Sequence, residues 1–249
     1  MSKTSGKVYG VSLGPGDPEL ITIKALKTLQ HSDKIYYPAS VSEKKGNSSF
    51  SLPILKELGL NDLQLHPIPL KMSYDRSEAE GAYFELFQKI KADIEQDLHV
   101  SVVSEGDISF FSTFAYLLKH LKANDISYEM IPGVPAFILA GAKSKLPICT
   151  LSDKVLVDPN VDSPEGLLKQ LQENDTIVLM KVSKVKTWIA DFILEHKPEL
   201  FYGEYLGTDK EFITDDAEVL RDRRIPYFTI IILKKVNKDK GGALSGVEV

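Results

Sequence analysis

Val8-Tyr9-Gly10-Val11-Ser12-Leu13-Gly14-Pro15-Gly16-Asp17-Pro18-Glu19-Leu20 is the stretch from which the rest of the chain is read. Residues 8–13 carry no charge and are rich in β-branched and apolar side chains, the pattern of a buried strand. Gly14 and Gly16 allow backbone angles that a Cβ forbids, and Pro15 stiffens the loop between them. Asp17 stands where a helix N-cap belongs, and Pro18 where a first helical residue belongs. Strand, glycine loop and helix start in this order put backbone donors at the carboxyl end of a strand, where open α/β sheets bind ligands. The same residues also make a tight turn before a capped helix, with no ligand at all. A dinucleotide fingerprint is excluded, because its third glycine would fall at Glu19, and no Gly-Lys-Ser/Thr follows to make a P-loop.

The composition bounds the function. The 249 residues are 26% charged and 43% hydrophobic, with net charge −5 and a sequence pI near 5.6. That is a globular composition with room for one large or two medium domains. Its acidic balance argues against a nucleic-acid backbone as the main partner. Cys149 is the single cysteine, so no intrachain disulfide forms, and a reducing cytoplasm is expected. Within Leu-Pro-Ile-Cys-Thr it reads as a small buried hydrophobe rather than a nucleophile. No apolar run reaches the roughly 18 residues that span a bilayer, so no membrane partner is expected, and no hydrophobic region follows Lys3 to make a signal peptide. The histidines show no metal-ligand spacing, so no protein-bound metal is expected.

Periodicity then alternates between strand and helix. Ile21, Ala25 and Leu29 form one helical face, and Lys34-Ile-Tyr-Tyr-Pro38 reads as a second strand stopped by its proline. Leu63 to Pro67 is a short strand, and Ala79, Tyr83, Leu86, Ile90 and Ile94 mark a long helix. Val100-Ser-Val-Val-Ser-Glu-Gly-Asp107 repeats the opening design: a buried strand, a glycine turn at Gly106, then a helix face at Phe111, Phe114, Leu118 and Leu121. Asp107, like Asp17, suits a helix cap. Beyond residue 144 come strands at 154–157, 175–180, 201–206 and 227–233, with helices at 163–172 and 184–194.

Residues 14–25, Gly-Pro-Gly-Asp-Pro-Glu-Leu-Ile-Thr-Ile-Lys-Ala, resemble the opening signature of the tetrapyrrole methylases, S-adenosylmethionine-dependent enzymes of corrin and sirohaem synthesis. The stretch Lys71-Met-Ser-Tyr-Asp-Arg76 resembles, in part, the Pro-Met-Thr-x-Asp segment of the branch that methylates precorrin-2 at C-20. Gly106-Asp-Ile-Ser-Phe-Phe-Ser-Thr-Phe-Ala-Tyr-Leu117 resembles the family's Gly-Asp-Pro-x-x-Tyr-Ser-Thr-Phe-x-Tyr-Leu, with Ile108 for the proline and Phe111 for the tyrosine. Ile131-Pro-Gly-Val-Pro-Ala-Phe137, Met180-Lys181 and Tyr227-Phe-Thr-Ile-Ile-Ile-Leu233 resemble later segments in order. Glu204 to Glu211 resembles Glu-Arg-x-Thr-x-x-x-Glu, with Tyr205 in place of the arginine.

The resemblance implies two α/β domains with the active site in the cleft between them: residues 1–143, residues 144–237, and a flexible tail at 238–249. It implies a cytoplasmic homodimer that methylates precorrin-2 or cobalt-precorrin-2 at C-20, leaving S-adenosylhomocysteine. It places Pro15, Glu105, Gly106, Asp107, Phe110, Ser112, Thr113, Pro135, Ala136, Met180, Lys181, Leu206 and Thr229 against the cofactor. Gly14, Gly16, Tyr36, Tyr37, Lys71 and Arg76 then meet the tetrapyrrole, whose carboxylates suit the two cations. A base is wanted at the meso carbon: Asp107 is the first candidate and Asp17 the second. Two other readings stand beside this one. A sibling methylase would act on another corrin position or on ribosomal RNA ribose, the latter disfavoured by the acidic balance. A non-catalytic cofactor-binding module is disfavoured by the presence of Asp17, Glu105 and Asp107.

Overall fold

The computed structural model describes residues 6–42, 46–71 and 76–235, with backbone alone at positions 41, 42, 46, 47, 76 and 183. Met72 to Asp75 and the expected tail at 238–249 lie outside the described residues. The chain divides into two units, Met1–Ala136 and Phe137–Val249.

The first unit has strands β1 (Val8–Ser12), β2 (Lys34–Ser42), β3 (Gly46–Ser48), β4 (Leu65–Lys71), β5 (Val100–Ser104) and β6 (Tyr128–Ile131). Its helices are α1 (Ile23–Gln30), α2 (Ser51–Glu57), α3 (Arg76–Ile94) and α4 (Phe114–Ala123). The sheet runs β3-β2-β5-β1-β6, with β4 also paired to β2, and every pairing except β2–β3 is parallel. β1 lies between β5 and β6, with Val8 opposite both Val100 and Tyr128. Both faces of this sheet are covered, which is why β1 and β5 read as apolar runs rather than as alternating strands. Ile35, Tyr37, Val11 and Val103 pack with Ala25 and Leu29 of α1 and with Leu55 of α2. Tyr36, Val100 and Val102 pack on the opposite side, with Tyr83, Phe87 and Ile90 of α3 and Phe114 of α4.

Three local expectations are corrected. β2 continues through Pro38 to Ser42: its pairing with β5 ends at Tyr36 and that with β3 begins at Ser40, so Pro38 falls in an unpaired gap on that side, where an absent N–H is tolerated. Asp17 caps only a single 3₁₀ turn, Pro18–Leu20, and α1 begins at Ile23 behind its own cap, Thr22, whose Oγ1 accepts from Ala25 N at 3.2 Å. Phe111 lies outside the following helix, which starts at Phe114 with Phe114, Leu117 and Leu121 as its buried face.

α5 (Ala136–Ser144) starts on the last residue of the first unit, and the second unit opens with the rest of it, from Phe137. It continues with β7 (Val155–Asp158), α6 (Pro164–Glu173), β8 (Thr176–Met180), α7 (Ile189–His196), β9 (Glu199–Glu204), β10 (Phe212–Thr214), α8 (Glu218–Arg221) and β11 (Thr229–Lys234). The sheet order is β10-β9-β11-β8-β7, antiparallel except for β7–β8. Leu167 and Leu171 of α6 and Ile189 and Ile193 of α7 pack on Ile177, Leu179, Tyr202 and Ile231. Trp188 is partly buried against this core. Cys149, expected to be buried, is exposed: it falls in the turn that follows α5, where Thr150 bonds Asp153 and no layer covers it.

Candidate active site

Three strand ends of the first unit are tied into one loop cluster. β1 and β5 end in the glycine turns anticipated above. Gly14 N donates to Gly106 O at 3.1 Å, and Gly106 N donates to Gly14 O at 2.7 Å. Both glycines hold left-handed backbone, with φ of 81° and 65°, which a side chain would strain. A buried serine adds the third strand. Ser12 is fully inaccessible; its Oγ donates to Ile131 O at 2.8 Å and accepts from Ile108 N at 2.8 Å. Gly133, in the loop after β6, approaches so closely that an added Cβ would sit 2.4 Å from Ser12 Cβ.

Asp107 completes the lock. Its Oδ2 accepts from Gly133 N at 2.8 Å, and its Oδ1 accepts from Ser109 N at 2.8 Å and Ser109 Oγ at 2.5 Å. Burial on its own would push this carboxyl up; the donors from Ser109 and Gly133 outweigh it and hold the carboxyl below the ordinary aspartate value. Glu105, two residues earlier, shows the opposite balance. Burial pushes its carboxyl up, and the hydrogen bond from Ser51 Oγ at 2.6 Å, with its own backbone N–H, offsets only part of that. Hydroxyls surround the turn: Ser112 Oγ donates to Ser104 Oγ at 2.9 Å and accepts from Phe114 N, the first residue of α4, and Thr113 Oγ1 bonds Tyr83 OH at 2.6 Å. Pro135 and Ala136 lie beside Gly106, 3.8–3.9 Å from where its Cβ would stand. Pro15 and Gly16 are buried, and Asp17 spends one oxygen on Glu19 N at 2.9 Å. Phe110 packs edge-on against Phe111, 4.6 Å between centroids, and Phe111 itself holds a strained φ of 52°.

The expected tetrapyrrole contacts divide. Gly14 and Gly16 belong to the cluster. Tyr36 and Tyr37 do not join it: they are 5% and 8% exposed and sit in opposite apolar layers of the sheet. Tyr36 OH donates to the buried Asp93 at 2.8 Å, and Lys34 pairs with the same carboxylate at 2.5 Å. Tyr36→Phe is therefore expected to cost about 1 kcal/mol of stability, read from its urea midpoint. Lys71 ends β4, exposed, with Glu78 3.2 Å away. Arg76 is the first residue of α3.

In the second unit, Met180 ends β8 and Lys181 follows in left-handed backbone, φ 54°. Tyr205, standing where the resemblance has arginine, is left-handed as well, φ 46°. Leu206 is buried over Gly203, and Thr229 is buried opposite Glu204 in the β9–β11 pairing, its Oγ1 donating to Pro226 O at 2.9 Å. A network here was not foreseen. Arg223 donates from Nε and Nη2 to the two carboxylate oxygens of the buried Glu204, at 2.6 and 2.9 Å, and stacks 3.5 Å above the Phe212 ring. Tyr202 OH also donates to Glu204. Burial, then the Glu204 bond, hold the Tyr202 hydroxyl well above its usual range. Arg223→Ala is expected to cost about 2–3 kcal/mol in denaturant unfolding, less than a fully buried pair because Arg223 is partly exposed.

A family model described as tetrapyrrole (corrin/porphyrin) methylases matches residues 7–218. The chain belongs to this family. It is 31% identical over 237 residues to a cobalt-precorrin-2 C(20)-methyltransferase of Salmonella typhimurium, a match covering 93% of this chain and 97% of that one. It is 28% identical over 238 residues to a precorrin-2 C(20)-methyltransferase of Sinorhizobium sp, covering 92% and 95%. Among solved structures, a cobalt precorrin-4 methyltransferase matches with TM-score 0.68 at 19% identity, over 92% of this chain and 94% of that one. A uroporphyrin-III C-methyltransferase from Thermus thermophilus, solved with S-adenosylhomocysteine, matches with TM-score 0.64 at 21% identity, over 92% and 98%. This tetrapyrrole methylase has the family's α/β fold, with one sheet in each unit. Among its described residues no helix is long and apolar enough to cross a membrane, and no group of three His, Cys, Asp or Glu is placed to hold a metal ion.

Proposed function

We propose that this tetrapyrrole methylase transfers a methyl group from S-adenosylmethionine to C-20 of precorrin-2 or its cobalt form, as a cytoplasmic homodimer. The observation that carries the reading is the lock of three strand ends by Ser12, the Gly14–Gly106 pair and Asp107, in a chain whose end-to-end relatives bear that activity in their names. The donor set fits the cofactor. A sulfonium and an ammonium call for oxygens, and this strand end offers the Glu105 carboxylate, the hydroxyls of Ser104 and Ser112 and the carbonyl groups of a glycine turn.

When bound, S-adenosylmethionine supplies an activated methyl group. The meso carbon of a reduced tetrapyrrole is enamine-like, so the protein supplies no nucleophile. Its residues hold the two reactants in line and keep water away, a task for which alignment supplies about 7–11 kcal/mol. Pro15, Gly106, Phe110, Ser112, Thr113, Pro135 and Ala136 form the cofactor's bed in the first unit. Gly14 and Gly16 let the macrocycle approach the backbone. Lys71 and Arg76 pair with its carboxylates; Lys71 gives up only a surface ion pair, of about 0–1 kcal/mol, to do so. Asp107 positions the Gly133 loop. The test is transfer of label from methyl-labelled S-adenosylmethionine to precorrin-2 and, separately, to cobalt-precorrin-2. Label in the tetrapyrrole fraction is expected with at least one of them. Tight S-adenosylhomocysteine binding without transfer to either contradicts the reading.

A further inference from the structure

We propose that the first unit binds a flat anion in a cavity remote from its glycine turns, along the flank of α1. The cavity measures about 700 Å³ and is lined chiefly by Tyr9, Ile23, Lys24, Lys27, His31 and His99. That size suits a small molecule rather than a single ion. Tyr9 lies in the amino-terminal half of β1, and His99 stands just before β5, whereas Gly14 and Gly106 lie past the carboxyl ends of the same two strands. Five residues of extended chain separate Tyr9 from Gly14, a span of about 16 Å. The cavity is therefore apart from the candidate active site, and the proposal stands whether or not methyl transfer falls on C-20.

The lining is cationic in an acidic chain. Among the described residues no Asp or Glu lines the cavity, although the whole chain carries a net charge of −5. Glu129, opposite Tyr9 in the β1–β6 pairing, is already held by Lys7 at 2.7 Å and by Lys24 at 2.5 Å. Two ammonium groups on one carboxylate leave positive charge over. Asp33 accepts the backbone N–H of His99 at 2.7 Å. Lys27, one turn beyond Ile23 on α1, pairs with no carboxylate among the described residues. His31 Nδ1 donates to Lys27 O at 2.6 Å, which fixes that ring at the end of α1. His99 adds a directed donor. Its Nδ1 is buried and has no partner among the described residues. An N–H is costly to bury without an acceptor, so in the neutral ring the proton belongs on Nε2, the nitrogen left to serve the cavity. The rings of Tyr9 and His99, 6.2 Å apart at their centroids, and the Ile23 side chain, 74% exposed in the same lining, call for a flat apolar body. Lys24, Lys27 and His99 then take the anionic groups that this body carries.

The experiment titrates three probes into the full chain saturated with S-adenosylhomocysteine: inorganic phosphate, adenosine monophosphate, and uroporphyrin, a flat macrocycle bearing carboxylates. Histidine ring signals are followed by NMR, with His31→Asn and His99→Gln to assign them. The His31 and His99 signals are expected to move saturably with adenosine monophosphate, with uroporphyrin or with both, while His196 in the second unit stays in place. Lys27 is exposed, so its replacement leaves the fold intact. Lys27→Ala is expected to weaken the binding about tenfold, and Lys27→Arg to restore most of it. S-adenosylhomocysteine affinity is expected to stay within about twofold of wild type in both variants, since the two sites share no residue. Added salt is expected to weaken the probes' binding, because the cations are open to solvent. A response to adenosine monophosphate alone assigns the site to phosphate esters of flat rings, and a response to uroporphyrin alone assigns it to carboxylated macrocycles. Unmoved His31 and His99 signals with both probes, inorganic phosphate binding as tightly as either, or binding that Lys27→Ala leaves unchanged overturns the proposal.

Discussion

Gly133→Ala is expected to lower the stability of the protein by about 3 kcal/mol or more, seen as an early urea midpoint, and to abolish measurable S-adenosylhomocysteine binding. The new Cβ would meet Ser12 Cβ at 2.4 Å and Gly106 O at 3.0 Å, and neither can swing away. Ser12 is fixed because its hydroxyl holds Ile131 and Ile108 together at the same time. Gly106 is fixed because it exchanges two backbone hydrogen bonds with Gly14. The clash therefore separates the loop after β6 from the other two strand ends. The damage should fall on binding and on stability together, since the same contacts serve both.

Asp107→Ala is expected to be nearly as severe, for a different reason. It leaves Gly133 N, Ser109 N and Ser109 Oγ without their acceptor; at about 1–3 kcal/mol for each donor left unpaired, a loss of about 2–4 kcal/mol is expected after partial rescue by water. S-adenosylhomocysteine affinity should fall at least tenfold as the loop relaxes. The pH dependence follows from the sign of the shift. The folded carboxyl lies below the ordinary aspartate value, so its contribution is fully present above that value and fades as pH falls through the folded value. The stability gap between wild type and Asp107→Asn should be wide at pH 7 and narrower in acid, below the folded value, measured by urea unfolding at both. A gap of equal width at both would show that Asp107 acts by shape rather than by charge.

Much of this site was legible because backbone requirements leave marks in sequence. Gly14, Gly16 and Gly106 stand where strands must turn sharply, and the uncharged runs before them are the strands the structure shows. What stayed hidden is side-chain chemistry between distant segments. Ser12 looks like one polar residue in an apolar strand, and only the neighbouring strands reveal its two partners. Ser51 sits at the start of a short helix, with nothing in its local pattern pointing to Glu105. Arg223 is nineteen residues from Glu204 and lies beyond a strand and a helix, so the replacement of the family's arginine by Tyr205 reads as a missing charge. Local rules also failed where tertiary context prevailed. Pro38 ends no strand because one side of β2 is unpaired there, and Cys149 is exposed because its apolar neighbours lie in a turn with no layer above it. Tyr36 invited a role as a flat surface for a flat ligand; its hydroxyl is instead committed to Asp93 inside the α3 layer.

The central claim is the position of the new methyl group. It is tested most directly by incubating the protein with precorrin-2, or its cobalt form, and S-adenosylmethionine carrying a ¹³C methyl, then locating the label in the product by NMR. Label on C-20 is the predicted result. Label on any other carbon of the macrocycle would contradict the account and assign the chain to a different branch of the tetrapyrrole methylases.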